Sequence, residues 1–213
     1  MAKDKEAQCK QCRSAGMKLY LKGERCQIED KCGFKRRSYP PGHLGRFSRR
    51  ERNMSEYGKQ LKEKQRARRM YGVSEVQFRR YFEMAAAQRG ITGEALFQAL
   101  ERRLDNVVYR LGFASSRGFA RQLVRHRHIK VNGKLVDIPS YLVRANDVIE
   151  VKEQSKKIQG IRDSADAAAQ RARIPSWLQT SPIELKGTVL ELPAGDKLEI
   201  PFEEHLIVEF YSR

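Results

Sequence analysis

Beyond residue 32 the chain has no cysteine; all four, Cys9, Cys12, Cys26 and Cys32, lie near the N-terminus. That clustering excludes a disulfide framework spread through the 213 residues, and no feature points to an oxidising compartment. Acidic side chains are also scarce, 26 against 43 Lys and Arg, for a net charge of +17. The imbalance points to a polyanionic partner, because clustered cations release counterions from a phosphate backbone. There is no run of about eighteen apolar residues, so no segment is expected to span a bilayer. Met1–Glu6 has no apolar stretch behind it, so no secretory signal is expected. The expectation is a soluble, basic, intracellular chain of one large domain or two to three small ones.

The charge is unevenly spread. Residues 1–90 carry 24 basic and 10 acidic side chains, and residues 31–70 alone hold 14 against 3, whereas residues 181–213 hold 3 against 7. A solvated surface normally intersperses both signs. A stretch as one-sided as 31–70 repels itself unless a counter-polyanion is present, which favours nucleic acid.

The cysteines read C-x2-C, thirteen residues, then C-x5-C. Two such knuckles can bring four thiolates to the corners of a tetrahedron, so a closed structural zinc site is preferred to a disulfide pair. The wide second spacing leaves a cysteine-bound iron–sulfur cluster open. Lys10, Arg13, Lys31 and Lys35 lie close in sequence and are expected to lower the thiol pKa values. Four protein ligands leave no open position for a substrate.

Ser38–His43, with paired prolines and a glycine, breaks regular structure. Gly45–Asn53 follows as an arginine-rich arm. Ser55 can cap a helix to about Tyr71 with Lys59, Lys62, Lys64, Arg66, Arg68 and Arg69 around most of its circumference, a helix expected to be held from outside the protein. Ser74–Gln77 has capping-box spacing ahead of Phe78, Tyr81, Phe82 and Ala85, which are read as core. Thr92 starts a further helix with Leu96, Leu100 and Leu104 as its buried edge. Ser116 caps another, with Ala120, Leu123 and Val124 inward. Ile129–Val136 is a hairpin turning on Asn132-Gly133, and Asp147–Val151 is a third strand. Lys152–Ile174 reads as a helical linker, and Val189-Leu190, Leu198–Ile200 and Leu206–Phe210 as strands or packing segments. Trp177 reads as a buried anchor.

Several blocks carry a resemblance: Tyr39–Gly42, Leu61–Gln65, Arg103–Phe113, Ala120–Val124 and the closing Ile207–Arg213. In this order they resemble the family of bacterial small-subunit ribosomal protein number four, in its four-cysteine form. After the proline-glycine turn the family usually continues Gln-His-Gly, whereas this chain has Gly42-His43-Leu44-Gly45. The resemblance implies a non-enzymatic protein in the cytoplasmic ribosome, binding 16S rRNA at a 5′-domain helix junction early in small-subunit assembly. It further implies a place near the messenger-RNA entry channel beside proteins three and five, and a role in decoding accuracy. No membrane and no small-molecule substrate is expected. The implied fold is α+β: a zinc module and proline-rich arm (1–45), a helical rRNA-binding domain (46–101), a small α+β RNA-binding module (102–163), and a linker helix and tail packing back on the helical domain (164–213).

A-form RNA hides its major-groove edges, so proteins grip phosphates, 2′-hydroxyls and bases exposed at junctions. Arg117, Arg121 and Arg125, at i, i+4 and i+8, put three guanidinium forks on one helix face, with Gln122 and His126 beside them. Because 117–128 holds no acidic residue, a face laced by salt bridges is not expected. The second contact set is Lys35, Arg36, Arg37, Tyr39, Lys59, Lys62, Arg66, Arg68 and Arg69. In the ribosomal reading Arg46, Arg49, Arg50 and Arg52 face messenger RNA. Two other classes were weighed. Arg103-Leu104-Asp105 echoes the catalytic motif of pseudouridine synthases, but no separate catalytic domain follows. A zinc-containing DNA-binding regulator would need a dimer seam, and no heptad pattern provides one.

Overall fold

A computed structural model describes residues 7–46, 54–170, 174–195 and 200–212. The chain folds as two compact units, one of residues 1–93 with 200–213 and one of residues 94–199.

In the first unit, α1 (Gln8–Ala15) ends on Gly16 in the left-handed conformation, and α2 (Gly33–Arg36) follows a single 3₁₀ turn. Cys12, Ala15 and Leu19 form a small core with Met17, Leu21, Phe34 and Met70 around it. The long helix α3 (Glu56–Tyr71) starts where Ser55 Oγ accepts from Gly58 N–H and stops at Gly72 with φ +63°. Next, α4 (Glu75–Ala86) starts on Ser74, whose hydroxyl accepts from Gln77 N–H, and buries Phe78, Tyr81, Phe82 and Ala85 as expected. The unit is completed from the far end of the sequence by α9 (Glu204–Tyr211).

The second unit begins within α5 (Thr92–Glu101). Leu96, Leu100 and Leu104 are all fully buried, but not on one helix: the chain breaks at Arg102 and Arg103, and Leu104 opens α6 (Leu104–Arg110). Then α7 (Arg117–Arg125) is capped by Ser116, whose Oγ accepts from Phe119 N–H. β1 (Ile129–Val131) and β2 (Lys134–Leu135) form the expected hairpin, with Asn132 at φ 49° and Gly133 at φ 77°. β3 (Val148–Val151) pairs with β1.

Beyond this point the fold departs from the reading of 164–213 as linker and tail. Helix α8 (Gln159–Gln170) is no linker, because it buries Ile161 and Ala165 in the main core. One isoleucine so buried contributes roughly 2 kcal/mol. β4 (Leu178–Ser181) and β5 (Lys186–Val189) join the sheet, whose order is β2-β1-β3-β5-β4. A bare β3 edge would leave backbone groups unpaired, and β5 covers it. The strands β4 and β5 therefore belong with the α+β module, and among the described tail residues 200–212 lie with the helical unit. Leu206–Phe210, one of the runs read as strand or packing segment, lies in a helix. Within the first unit α1 docks on α3: Arg66 Nε donates to Ala15 O at 2.9 Å and Arg69 to Ser14 Oγ at 3.3 Å.

The core of the second unit centres on Val107, Val108, Phe113, Val124, Ile149 and the buried anchor Trp177. Gly112 sits where α6 meets α8, at φ +85°, and a Cβ there would lie 2.3 Å from Ala168 Cβ. Gly112→Ala combines left-handed strain with a backbone-level clash. It is expected to destabilise the chain by about 2–4 kcal/mol, read as a lower urea midpoint.

Candidate nucleic-acid interface

α7 is amphipathic, with Ala120, Leu123 and Val124 buried and its cations on the opposite side. The arginine row divides into two kinds. Arg117 Nε donates to Asn106 Oδ1 at 2.7 Å, and its guanidinium lies 4.6 Å from the centroid of the Tyr109 ring. Arg121 lies 3.9 Å from Asp105 Oδ2. Arg125, Gln122 and His126 are exposed, and their side chains make no hydrogen bond or ion pair with any described residue. The reading that this face carries no salt bridge is thus corrected for Arg121, whose partner comes from α6 rather than from its own helix.

The residues under the row form a polar network. Arg103 is fully buried and donates to both Asp105 oxygens, at 3.0 and 2.7 Å. Asn106 donates to Glu101 at 2.8 Å, and Arg110 forms a double bond pair with the same carboxylate at 3.0 Å each. Asn106 therefore orients Arg117 through a hydrogen bond, and Asp105 draws Arg121 toward α6 as an ion pair. Composition points to the arginines and not to these two, although the Arg103–Phe113 block contains them. Asp105 pairs with Arg103, two residues upstream in its own chain segment. His126 and His128 have ring centroids 6.1 Å apart, and His128 Nδ1 meets Ser155 Oγ at 2.8 Å. Burial, with His126 and Lys152 beside it, keeps the His128 pKa below its ordinary value.

In the first unit, Lys35, Arg36 and Arg37 are exposed, with Lys35 3.2 Å from Glu29. Tyr39 is half-buried beneath Arg13, whose guanidinium lies 4.8 Å from the ring centroid while donating to the Tyr39 and Pro40 carbonyls. Lys59 is exposed and paired with Glu56. Lys62 and Arg66 flank Gly16, and Arg66 also pairs with Glu63. Arg68 donates to Gln65 at 2.9 Å. The Arg46 side chain and residues Arg49, Arg50 and Arg52 lie outside the described residues.

The expectation that α3 lacks an inward face is corrected. Gln60, Glu63, Lys64, Ala67 and Tyr71 are buried, and α9 packs along the helix. Lys64 is 4% exposed, donates to Glu75 at 2.8 Å and lies 4.6 Å from the Phe210 ring centroid. Tyr211 donates to the same Glu75 oxygen at 2.8 Å and stacks on Phe82 at 4.8 Å. Burial alone would raise the Glu75 pKa, but hydrogen bonds from Lys64 and Tyr211 and the charges of Lys64 and Arg68 hold it below the ordinary carboxylate range. This helix is held by the chain's own C-terminal segment.

All four cysteines line one cleft together with Lys18, Lys22, Arg25 and Lys31. Burial pushes the Cys12 and Cys26 thiols up, and the neighbouring cysteines push the same way. Backbone N–H groups oppose this, that of Leu19 at Cys12 and that of Lys22, 3.3 Å from Cys26 Sγ. The lowering expected from Lys10, Arg13, Lys31 and Lys35 is not among the causes at these two thiols, and Lys18 alone of the basic side chains pulls down, at Cys26. Among the described residues, no three His, Cys, Asp or Glu side chains are arranged to hold a metal ion as they stand.

Residues 3–101 match the ribosomal protein S4/S9 N-terminal domain and residues 102–149 the S4 domain. The chain is 56% identical over 205 residues to small ribosomal subunit protein uS4A of Symbiobacterium thermophilum, covering 96% of each. It is 55% identical to uS4 of Acetivibrio thermocellus and 52% identical to uS4 of Desulforapulum autotrophicum, in both cases over the full length of both chains.

Asp105→Asn keeps the shape but removes the charge facing buried Arg103. The expected outcome is a loss of about 3 kcal/mol in stability, seen as a lower thermal midpoint, with Arg121 released from its contact.

Proposed function

We propose, from the premise that the chain belongs to the uS4 family of small-ribosomal-subunit proteins, that its basic surfaces bind 16S rRNA at a 5′-domain helix junction and nucleate assembly there. The protein is a structural constituent of the cytoplasmic ribosome and not an enzyme. The observation that carries the RNA reading is the α7 face: Arg117 and Arg121 pre-oriented from beneath, with Arg125, Gln122 and His126 open to solvent. Guanidinium forks at fixed angles suit phosphate oxygens, which accept bidentately. Lys35, Arg36 and Arg37 supply a second contact area, joined by Lys59, Lys62, Arg66, Arg68 and Arg69 through donors that their internal bonds leave over. Tyr39 acts there by orienting Arg13. The arm with Arg46, Arg49, Arg50 and Arg52 faces messenger RNA near the entry channel, beside proteins three and five, and contributes to decoding accuracy.

The four cysteines hold one structural zinc ion in this reading. The support is their spacing, their common cleft and the N–H donors beside Cys12 and Cys26. Zinc would supply folding free energy to a segment with a small core, and the charge that lets four neighbouring thiols ionise together. Native mass spectrometry of the purified chain should show one bound zinc, lost in Cys26→Ser. An iron–sulfur chromophore would mark the other occupant, and metal-free protein of full stability would remove the assignment.

Binding to a 16S 5′-domain fragment, titrated from low to physiological salt against scrambled RNA and duplex DNA, tests the RNA reading. Selective binding that persists at physiological salt is expected, with Arg125→Gln lowering the salt slope by about one unit. Collapse of all three affinities together would mean charge alone.

A further inference from the structure

We propose that Arg102 and Arg144 form a second phosphodiester clamp for RNA in the second unit, in addition to the α7 row. The inference rests on the RNA reading above and assigns it a further site. The backbone brings the two residues to adjacent chain segments. Val143 N–H donates to Arg102 O at 2.9 Å, Arg103 forms a β-bridge with Leu142, and Leu104 N–H donates to Tyr141 O at 2.8 Å. Arg102 thus stands at the end of a short antiparallel ladder, opposite the residue that precedes Arg144. Its Nε donates to Val143 O at 3.0 Å, which turns the fork and leaves its terminal nitrogens without a partner among the described residues. Arg144 is exposed, and its guanidinium has no hydrogen bond or ion pair with any described residue.

The nearby carboxylate is already engaged. Asp147 Oδ1 accepts from Asn132 Nδ2 at 2.8 Å and Oδ2 accepts from the Arg144 backbone N–H at 2.7 Å. Burial and then the Arg144 charge lower the Arg102 pKa against the pull of Asp147. With both oxygens of Asp147 already accepting hydrogen bonds, Arg102 and Arg144 lack what a bridging phosphate supplies, namely further negative charge and several acceptor lone pairs. A carboxylate in place of Arg144 would serve folding better, so the pair is arranged for a ligand.

The test uses the full chain, the 16S 5′-domain fragment as probe, and Arg144→Gln, Arg144→Glu and Arg125→Gln. R144Q should lower affinity about fivefold near 0.15 M salt and reduce the salt slope by about one unit. R144E should weaken binding further while leaving the thermal midpoint equal or higher, because a glutamate there pairs with Arg102. Unchanged binding in R144Q while R125Q weakens it would overturn the clamp and leave the RNA reading standing. A lower midpoint in R144E would assign Arg144 to folding and also overturn it. Loss of selectivity in the unaltered chain would sink the RNA reading and the clamp with it. Displacement of RNA by submillimolar inorganic phosphate at constant ionic strength, abolished by R144Q, would mark a free-phosphate site and overturn the RNA assignment.

Discussion

The second unit depends on one buried ion pair. Arg103 is fully buried against both oxygens of Asp105, and one of them, Oδ2, lies 3.9 Å from Arg121. The backbone around the pair is pinned as well, with Leu104 N–H on Tyr141 O and Asp105 N–H on Pro139 O. A buried pair of this kind adds little net stability compared with well-packed apolar residues, since both groups give up water to form it. Its value here is geometric. It fixes the start of α6, the 139–143 segment and one arginine of α7 with respect to one another, and Asp105 also lies in the first turn of α6, where negative charge favours the helix dipole.

Local signals were legible in the sequence and distant partnerships were not. Ser55, Ser74 and Ser116 cap the helices they were expected to cap, and Asn132-Gly133 turns its hairpin, because each signal is complete within a few residues. Leu96, Leu100 and Leu104 have helical spacing and are all buried, yet a break at Arg102-Arg103 intervenes, since a period does not reveal a turn and an extended residue inside it. Leu206–Phe210 is a short apolar run whose periodicity suits a strand, a buried helix or plain packing, and packing on α3 decides for the helix. β5 was marked only at its end, in the Val189-Leu190 run, because Lys186–Val189 includes Gly187. That glycine is required by its position, as a Cβ there would lie 2.4 Å from Leu111 Cδ2.

The candidate site shows the same division. The α7 row could be read from spacing alone, whereas the internal partners of its inner members could not, because Asp105 and Asn106 lie eleven or more residues upstream. The basic character of α3 is equally misleading when read along the helix. Buried Lys64 belongs to a cluster with the exposed Glu75 and the half-buried Phe210 and Tyr211, contributed by three separate helices. Net charge therefore overstates the surface available to a polyanion, since part of it is neutralised within the fold.

Internal engagement does not disqualify an arginine from binding phosphate. A guanidinium carries five N–H donors in a rigid plane, so one edge can be anchored to the protein while another faces outward, which an ammonium group does poorly. Arg117, tied by Nε to Asn106 and lying over Tyr109, has a restricted rotamer before any ligand arrives. Ordering a free long side chain at an interface costs about 0.5–1.5 kcal/mol, and a restrained one avoids much of that cost. Arg125, exposed and without a described partner, bears it in full. The row thus combines two members that set position with one that adjusts, an arrangement suited to a folded junction whose phosphates have fixed spacing.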